Sequence, residues 1–273
     1  MNPISLASGV VPDHGPVETI TAARAGGFDA VGLWVDPAEW TGAYTRAARG
    51  ALADTGLPLL DVEVIWLKPD DDEAHHLKVI DVGAELGVAN VLCVSSHPDP
   101  ATTIAALTRL CRHAEGSGIR VALEFGIFSA VRDLASALAI LNAVGHPLRA
   151  LLIDPIHVDR SDSSIAAIAR VDPALLPYAQ FCDAPAARPD PDDFGAIITD
   201  AIDLRCQCGG GALPLADIYR ALPEGIPLSI ELRSKQLRED YPDPIARARV
   251  VADATRAWLA RHTQPQLAGA LVR

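Results

Sequence analysis

Short apolar runs alternate with helix-like stretches along the whole chain. PISLAS opens the series as a strand, and 16–26 follows as a helix, with Pro16 suited to its first turn. AVGLWV (30–35) is the second strand, 37–54 an alanine-rich helix and LPLLDVEVI (57–65) the third strand. Residues 71–86 form a helix with acidic residues at its start, where the helix dipole favours them. ANVLCVS (89–95) and a helix over 99–116 come next, then RVALEF (120–125) and a helix over 129–143. RALLID (149–154), a short helix over 163–169 and PYAQFCD (177–183) lead into a long irregular segment containing one helix, 192–202. PLSIEL (227–232) and a helix over 243–261 close the pattern. No repeat or linker divides it. Eight strands interleaved with helices predict an α/β fold, a single (β/α)8 TIM barrel over 1–262, rather than an open doubly wound sheet. Residues 263–273 read as a loose tail or an oligomer contact.

Side chains alternate across a strand, so phase separates helix-facing from axis-facing positions. Val121, Leu123 and Phe125 face the helices and Glu124 faces the axis; Leu152 and Asp154 share the inner face of their strand. Tyr178, Gln180 and Cys182 do the same in strand seven, and Ser229, Glu231 and Arg233 in strand eight. In strand three the alternation puts Asp61, Glu63 and Ile65 inside and Val62, Val64 and Trp66 outside. Glu124, Asp154, Gln180 and Glu231 therefore close four consecutive strands at one mouth. Three carboxylates and an amide gathered there would repel without a cation, which points to one divalent ion on oxygen ligands, Mn²⁺ or Mg²⁺ ahead of Co²⁺ or Zn²⁺. An inward Glu63 is costly to bury unless it serves the site. His157, in the loop after Asp154, can reach the mouth as a proton donor or substrate anchor. His97 ends strand four as a further mouth residue, and Arg233 shares its face with Glu231, so both are candidate substrate contacts.

The formal net charge of −12 with no basic patch argues against nucleic acid. No signal pattern and no apolar stretch near membrane length is present, which predicts a cytoplasmic chain. Five scattered cysteines do not suggest a disulfide framework. The 184–215 segment, with Pro-Asp steps and GGG, reads as a lid or substrate clamp at the mouth, or alternatively as a surface excursion.

VALEFGIF, LLIDPIH, AQFCDAP and LSIELRS together resemble the sugar phosphate isomerase/epimerase-like proteins of the xylose-isomerase-like superfamily of barrels. The resemblance implies Glu124, Asp154, Gln180 and Glu231 as metal ligands, with Glu124 and Glu231 also moving the proton. It implies His157 as a substrate contact and possible catalytic acid, and Arg205 as a substrate contact before the glycine-rich turn. It implies an isomerase or epimerase acting on a sugar-like hydroxy-ketone through an enediolate. The alternative is a dehydratase of the 3-dehydroshikimate or inosose type; a non-catalytic sugar-binding barrel ranks third. Gln180 stands where many sugar epimerases have histidine, and is similar in this to hydroxypyruvate isomerase and 3-dehydroshikimate dehydratase. The DNA-repair endonuclease branch needs a histidine-rich zinc cluster that this chain lacks. The expected partner is a small molecule (hydroxy-ketone, sugar or cyclic polyol acid), with a homo-oligomer as a further expectation.

Overall fold

The computed structural model describes residues 2–262, so the tail expected over 263–273 lies outside the described residues. Eight parallel strands run β1 (Ile4–Leu6), β2 (Ala30–Trp34), β3 (Leu59–Leu67), β4 (Asn90–Ser95), β5 (Arg120–Glu124), β6 (Arg149–Leu152), β7 (Ala179–Gln180) and β8 (Leu228–Ile230). They are hydrogen-bonded in the order β6-β5-β4-β3-β2-β1-β8-β7. Across the remaining seam, between β6 and β7, Gln180 N–H donates to the Ile153 carbonyl at 2.9 Å. The chain is a single (β/α)8 TIM barrel, as the alternation predicts.

The helices are α1 (Pro16–Gly26), α2 (Gly42–Thr55), α3 (Glu73–Leu86), α4 (Pro100–His113), α5 (Leu134–Val144), α6 (Pro155–Arg160), α7 (Ile165–Ile168), α8 (Phe194–Asp203), α9 (Leu215–Ala221), α10 (Lys235–Asp240) and α11 (Pro244–His262). Aspartates 72, 99, 133 and 193 cap α3, α4, α5 and α8 by accepting backbone N–H bonds. The Asp133 cap starts α5 five residues later than the apolar pattern suggests. Three short helices, α6, α9 and α10, are too brief for periodicity to reveal.

Two apolar layers follow from strand alternation. Val121, Leu123, Phe125, Leu228, Ile230 and Leu232 join the large core between sheet and helices. Leu92, Val94, Ala122, Ala150, Leu152 and Tyr178 fill one side of the barrel interior. Burying each such side chain contributes about 1.5–3 kcal/mol, so the phase of every strand is strongly fixed. Strand three departs from its expected phase. Its register against β4 shifts between Val62 and Ile65. A one-residue slip reverses every later side chain. Ile65 therefore joins Val62 in the outer core, while Val64 and Trp66 pack inside. Arg247 of α11 is fully buried, and its guanidinium holds Asp13 and the Val10 carbonyl, tying the β1–α1 loop to the closing helix.

Candidate functional site

Glu124 ends β5, Gln180 ends β7, and Asp154 and Glu231 lie just past β6 and β8. Parallel strands bring these ends to the same rim, where the four side chains are 6%, 2%, 1% and 2% exposed respectively. Asp154 is also the N-cap of α6, its Oδ1 accepting from Ile156 N–H at 3.1 Å. His157 is consequently in the first turn of a helix, not in a loop as the sequence suggests, and its ring rests 4.7 Å from that of Phe128.

The structure brings Glu124, Asp154 and His157 together: one ligand atom from each lies within 4.8 Å of the others. His157 Nε2 is 3.9 Å from both carboxylates. The Gln180 amide completes this corner. The amide is satisfied with its nitrogen turned inward, donating to Glu124 Oε1 at 2.7 Å and Asp154 Oδ2 at 3.1 Å; turned end for end, its oxygen would face both carboxylates. In that second orientation the oxygens would stand close to the spacing of about 2.8–3.0 Å that an octahedral ion with ligands at about 2.0–2.1 Å requires. Glu231 approaches from β8. Its Oε1 is held by Arg233 Nε, and its Oε2 is buried without a hydrogen-bond partner. A clustered oxygen set and an orphaned carboxylate oxygen both fit a divalent cation.

The cationic residues are already engaged. Arg205 Nη1 donates to Asp154 Oδ2 at 2.5 Å and to the Glu231 carbonyl at 3.2 Å, and Arg205 Nε to the Ala201 carbonyl at 2.6 Å. Arg233 Nη2 lies 3.7 Å from Glu63 Oε2, and Glu63 Oε1 accepts from Ser8 Oγ at 2.9 Å. Gly9 makes this corner possible, since a Cβ there would collide with the Glu231 carboxylate and come within 2.7 Å of Arg233 Nε. Glu63, Glu124, His157, Gln180, Arg205, Glu231 and Arg233 all line one pocket of about 190 Å³. His97 is not among its lining residues; it sits half-buried in the β4–α4 loop, its N–H donating to Ser95 Oγ. Sequence reasoning missed Trp34, Trp66, Phe128, Ile198 and Ile202 as pocket walls. Trp66 was hidden by the register shift, and Ile198 and Ile202 by the distance in sequence between α8 and the ligands.

α8 is the one helix expected in the long segment after β7, and it covers the mouth. A fixed turn anchors its return. Asp183 accepts N–H bonds from Ala184, Gly209 and Leu213 at 2.9–3.1 Å. Gly211 lies so close to Ala184 that a Cβ would strike its carbonyl oxygen.

Burial dominates the electrostatics. Burial and then Asp154 push the Glu124 carboxyl well above its usual range. Burial also acts upward on Asp154, but Arg205 and His157 outweigh it and hold that carboxyl low. Burial lowers His157 to about 4, leaving a neutral imidazole. Glu63 rises from its ordinary 4.5 to about 7, first through burial and then through Glu231, with Arg233 and Ser8 opposing. The native state therefore keeps a proton on Glu63 that the unfolded chain has lost. This contribution to stability is full below about pH 4.5 and is lost as pH rises to 7 and beyond, by about 3 kcal/mol. Glu63→Gln is expected to flatten the fall in stability of the metal-free protein between pH 5 and 8. Denaturant melts at several pH values would show this, and an unchanged slope would remove Glu63 as its source.

The chain belongs to the xylose isomerase-like TIM barrel family, whose model matches residues 20–261. Comparison with curated protein sequences gives no significant match. Among solved structures, a xylose isomerase-like TIM barrel/4-hydroxyphenylpyruvate dioxygenase fusion protein is similar over 100% of this chain, with a TM-score of 0.78 and 20% identity; the chain spans 46% of it. The IolI protein with a bound zinc atom is similar at TM-score 0.78 and 18% identity, over 95% of this chain and 99% of its own. D-allulose 3-epimerase from Methylomonas sp., in complex with D-allulose, gives TM-score 0.70 and 16% identity over 94% and 96% of the two chains. At these identities the structural likeness speaks for the fold.

Proposed function

We propose that the protein is a divalent-metal-dependent isomerase or epimerase of a sugar-like hydroxy-ketone. The observation that carries this reading is the gathering of the Glu124, Asp154 and Gln180 side-chain ends at one corner, with the orphaned Glu231 Oε2 in the same pocket that Glu124 and Gln180 line. Those four residues would hold the ion. When bound, a divalent ion stabilises the negative charge that develops as a proton leaves the carbon beside a carbonyl.

The residues divide the remaining work. Arg233 fixes one oxygen of Glu231, so that its carboxylate meets the substrate in a set orientation and takes the C–H proton. Returning that proton to the neighbouring carbon, with the hydroxyl proton passing to the former carbonyl oxygen, isomerises the substrate. Glu124, at the end of β5 in the same pocket, would deliver a proton to the opposite face, which would epimerise it. Exchange with solvent then resets the two carboxyls. His157, neutral and wedged against Phe128, hydrogen-bonds a substrate hydroxyl. Trp66, Phe128, Ile198 and Ile202 give the pocket apolar walls against which the substrate carbons would pack.

The test is NMR of the manganese- or magnesium-loaded protein in D₂O with ketoses and with 3-dehydroshikimate. Deuterium entering the carbon beside the carbonyl, with a rearranged or epimeric product, is the expected result. Loss of water from 3-dehydroshikimate with no exchange into any ketose would make it a dehydratase instead. A further expectation concerns the ion. Gln180→His replaces an amide oxygen with a softer imidazole, so metal content after growth in mixed metals should move toward Zn²⁺ or Co²⁺. Unchanged content would place Gln180 outside the ligand set.

A further inference from the structure

A second cavity, of about 310 Å³, opens beside the catalytic pocket on the β1–β2 side. The two share Trp34 and Arg233, so the partition between them is one indole and one guanidinium, stacked at 5.7 Å. Ser8, which lines the outer cavity, is hydrogen-bonded to Glu63, which lines the inner one. The inner pocket, about 190 Å³, lies below the roughly 300–1,000 Å³ of typical small-molecule sites. It holds one small polyol. Joined to its neighbour, it reaches that range.

The chemistry of the outer walls is specific. Trp34 and Tyr44 are each 48% exposed and both line this cavity, so their ring faces are open to a ligand there. Trp40 stands behind Tyr44 at 5.7 Å, and its indole N–H is satisfied by Thr45 Oγ1, so it presents an oriented apolar face. Asp36 and Glu39 supply carboxylate acceptors. The one guanidinium in the lining is Arg233, and it is engaged by Glu231 and Glu63. A phosphate would meet Asp36 and Glu39 and no unpaired arginine; the other basic side chain of the lining, His14, already lies 3.4 Å from Asp13 Oδ2. A cationic tail would meet the charge that Arg233 already places on Trp34. A neutral ring with apolar C–H faces and many hydroxyl donors satisfies both the aromatic and the acidic walls.

We infer that the substrate has two parts. Its hydroxy-ketone end enters the inner pocket, and an unphosphorylated glycosyl unit lies in the outer cavity against Tyr44 and Trp34, its hydroxyls donating to Asp36 and Glu39. The joining oxygen passes the Arg233–Trp34 partition. This rests on the hydroxy-ketone reading of the inner site, but binding tests it separately from turnover.

Calorimetric titration of the metal-loaded protein should compare fructose, fructose 6-phosphate and two glucosyl-fructoses, turanose and isomaltulose, which carry the glucose at different positions. At least one glucosyl-fructose is expected to bind about tenfold more tightly than fructose, the advantage of one aromatic platform with its hydroxyl contacts. Fructose 6-phosphate should gain nothing. Tyr44→Ala and, separately, Glu39→Gln, both at exposed positions, should erase most of the glucosyl advantage. Equal affinity for fructose and both glucosyl-fructoses would overturn the inference, as would tightest binding of the phosphate ester or variants that leave the ratio unchanged. Deuterium exchange in the same samples separates the two readings. A glucosyl preference without exchange would sink the proposed activity and keep the second subsite; exchange without the preference would do the reverse.

Discussion

Glu231→Gln is expected to lower kcat by roughly 10²–10⁴-fold, the usual contribution of a positioned acid–base group, while the barrel remains folded. The substitution keeps shape and burial but removes the charge. It leaves Arg233 facing an amide in place of a carboxylate, and it turns the orphaned Oε2 into an atom that either loses its anionic pull on a cation or donates where an acceptor is needed. Two measurements must therefore move together. Metal content after dialysis should fall, and turnover at saturating metal should remain low. A variant with wild-type metal content and wild-type kcat would take Glu231 out of the site. A variant that regains full turnover when metal is raised would make it a ligand without a proton-transfer role.

Arg205→Met is expected to cost the metal-free protein about 3–5 kcal/mol, because it strips a buried carboxylate of its partner. Asp154 is 1% exposed, lies beside Glu124 and Gln180, and is held in its charged form by Arg205. Without the guanidinium Asp154 has no arginine partner, since Arg233 is engaged by Glu63 and Glu231. A melting temperature lower by roughly 10 °C follows from that loss for a chain of this size. Saturating Mn²⁺ should restore part of it, since a cation at the Glu124–Asp154–Gln180 corner replaces the missing positive charge. Calorimetry in chelator and in excess metal tests both statements. An equal loss in the two conditions would mean that the ion, if bound, does not sit against Asp154.

The architecture was legible because the signals that specify it are local and repeated. Each strand is a short apolar run of definite phase, and eight of them recur between helices. Glu124, Asp154, Gln180 and Glu231 were legible for the same reason: each is a polar residue at the end of such a run. What escaped depends on more than one element. The β3 register shift reverses Val64, Ile65 and Trp66, and nothing in LPLLDVEVI announces it. His157 looks like a loop residue until Asp154 is seen capping a six-residue helix. Arg205 and Arg233 read as substrate contacts in the sequence; the partners Asp154 and Glu63 that engage them are distant along the chain, while Glu231, two residues from Arg233, shares its face as the alternation shows. The outer cavity, assembled from the β1–α1 and β2–α2 loops, left no periodic trace at all.

β7 is only two residues long, and one of them, Gln180, serves twice: its backbone N–H crosses to Ile153 at the β6–β7 seam while its side chain reaches Glu124 and Asp154. Ring closure and completion of the oxygen cluster are thus the same structural event. β7 is the end strand of the hydrogen-bonded order, paired with β8, and the Gln180–Ile153 contact is what brings it against β6. A cation gripped at that corner would act as a clasp on the barrel, opposing its opening at the seam where the fewest backbone bonds hold it. Slowed solvent exchange of the Gln180 amide proton would then be a direct gauge of occupancy, independent of any substrate.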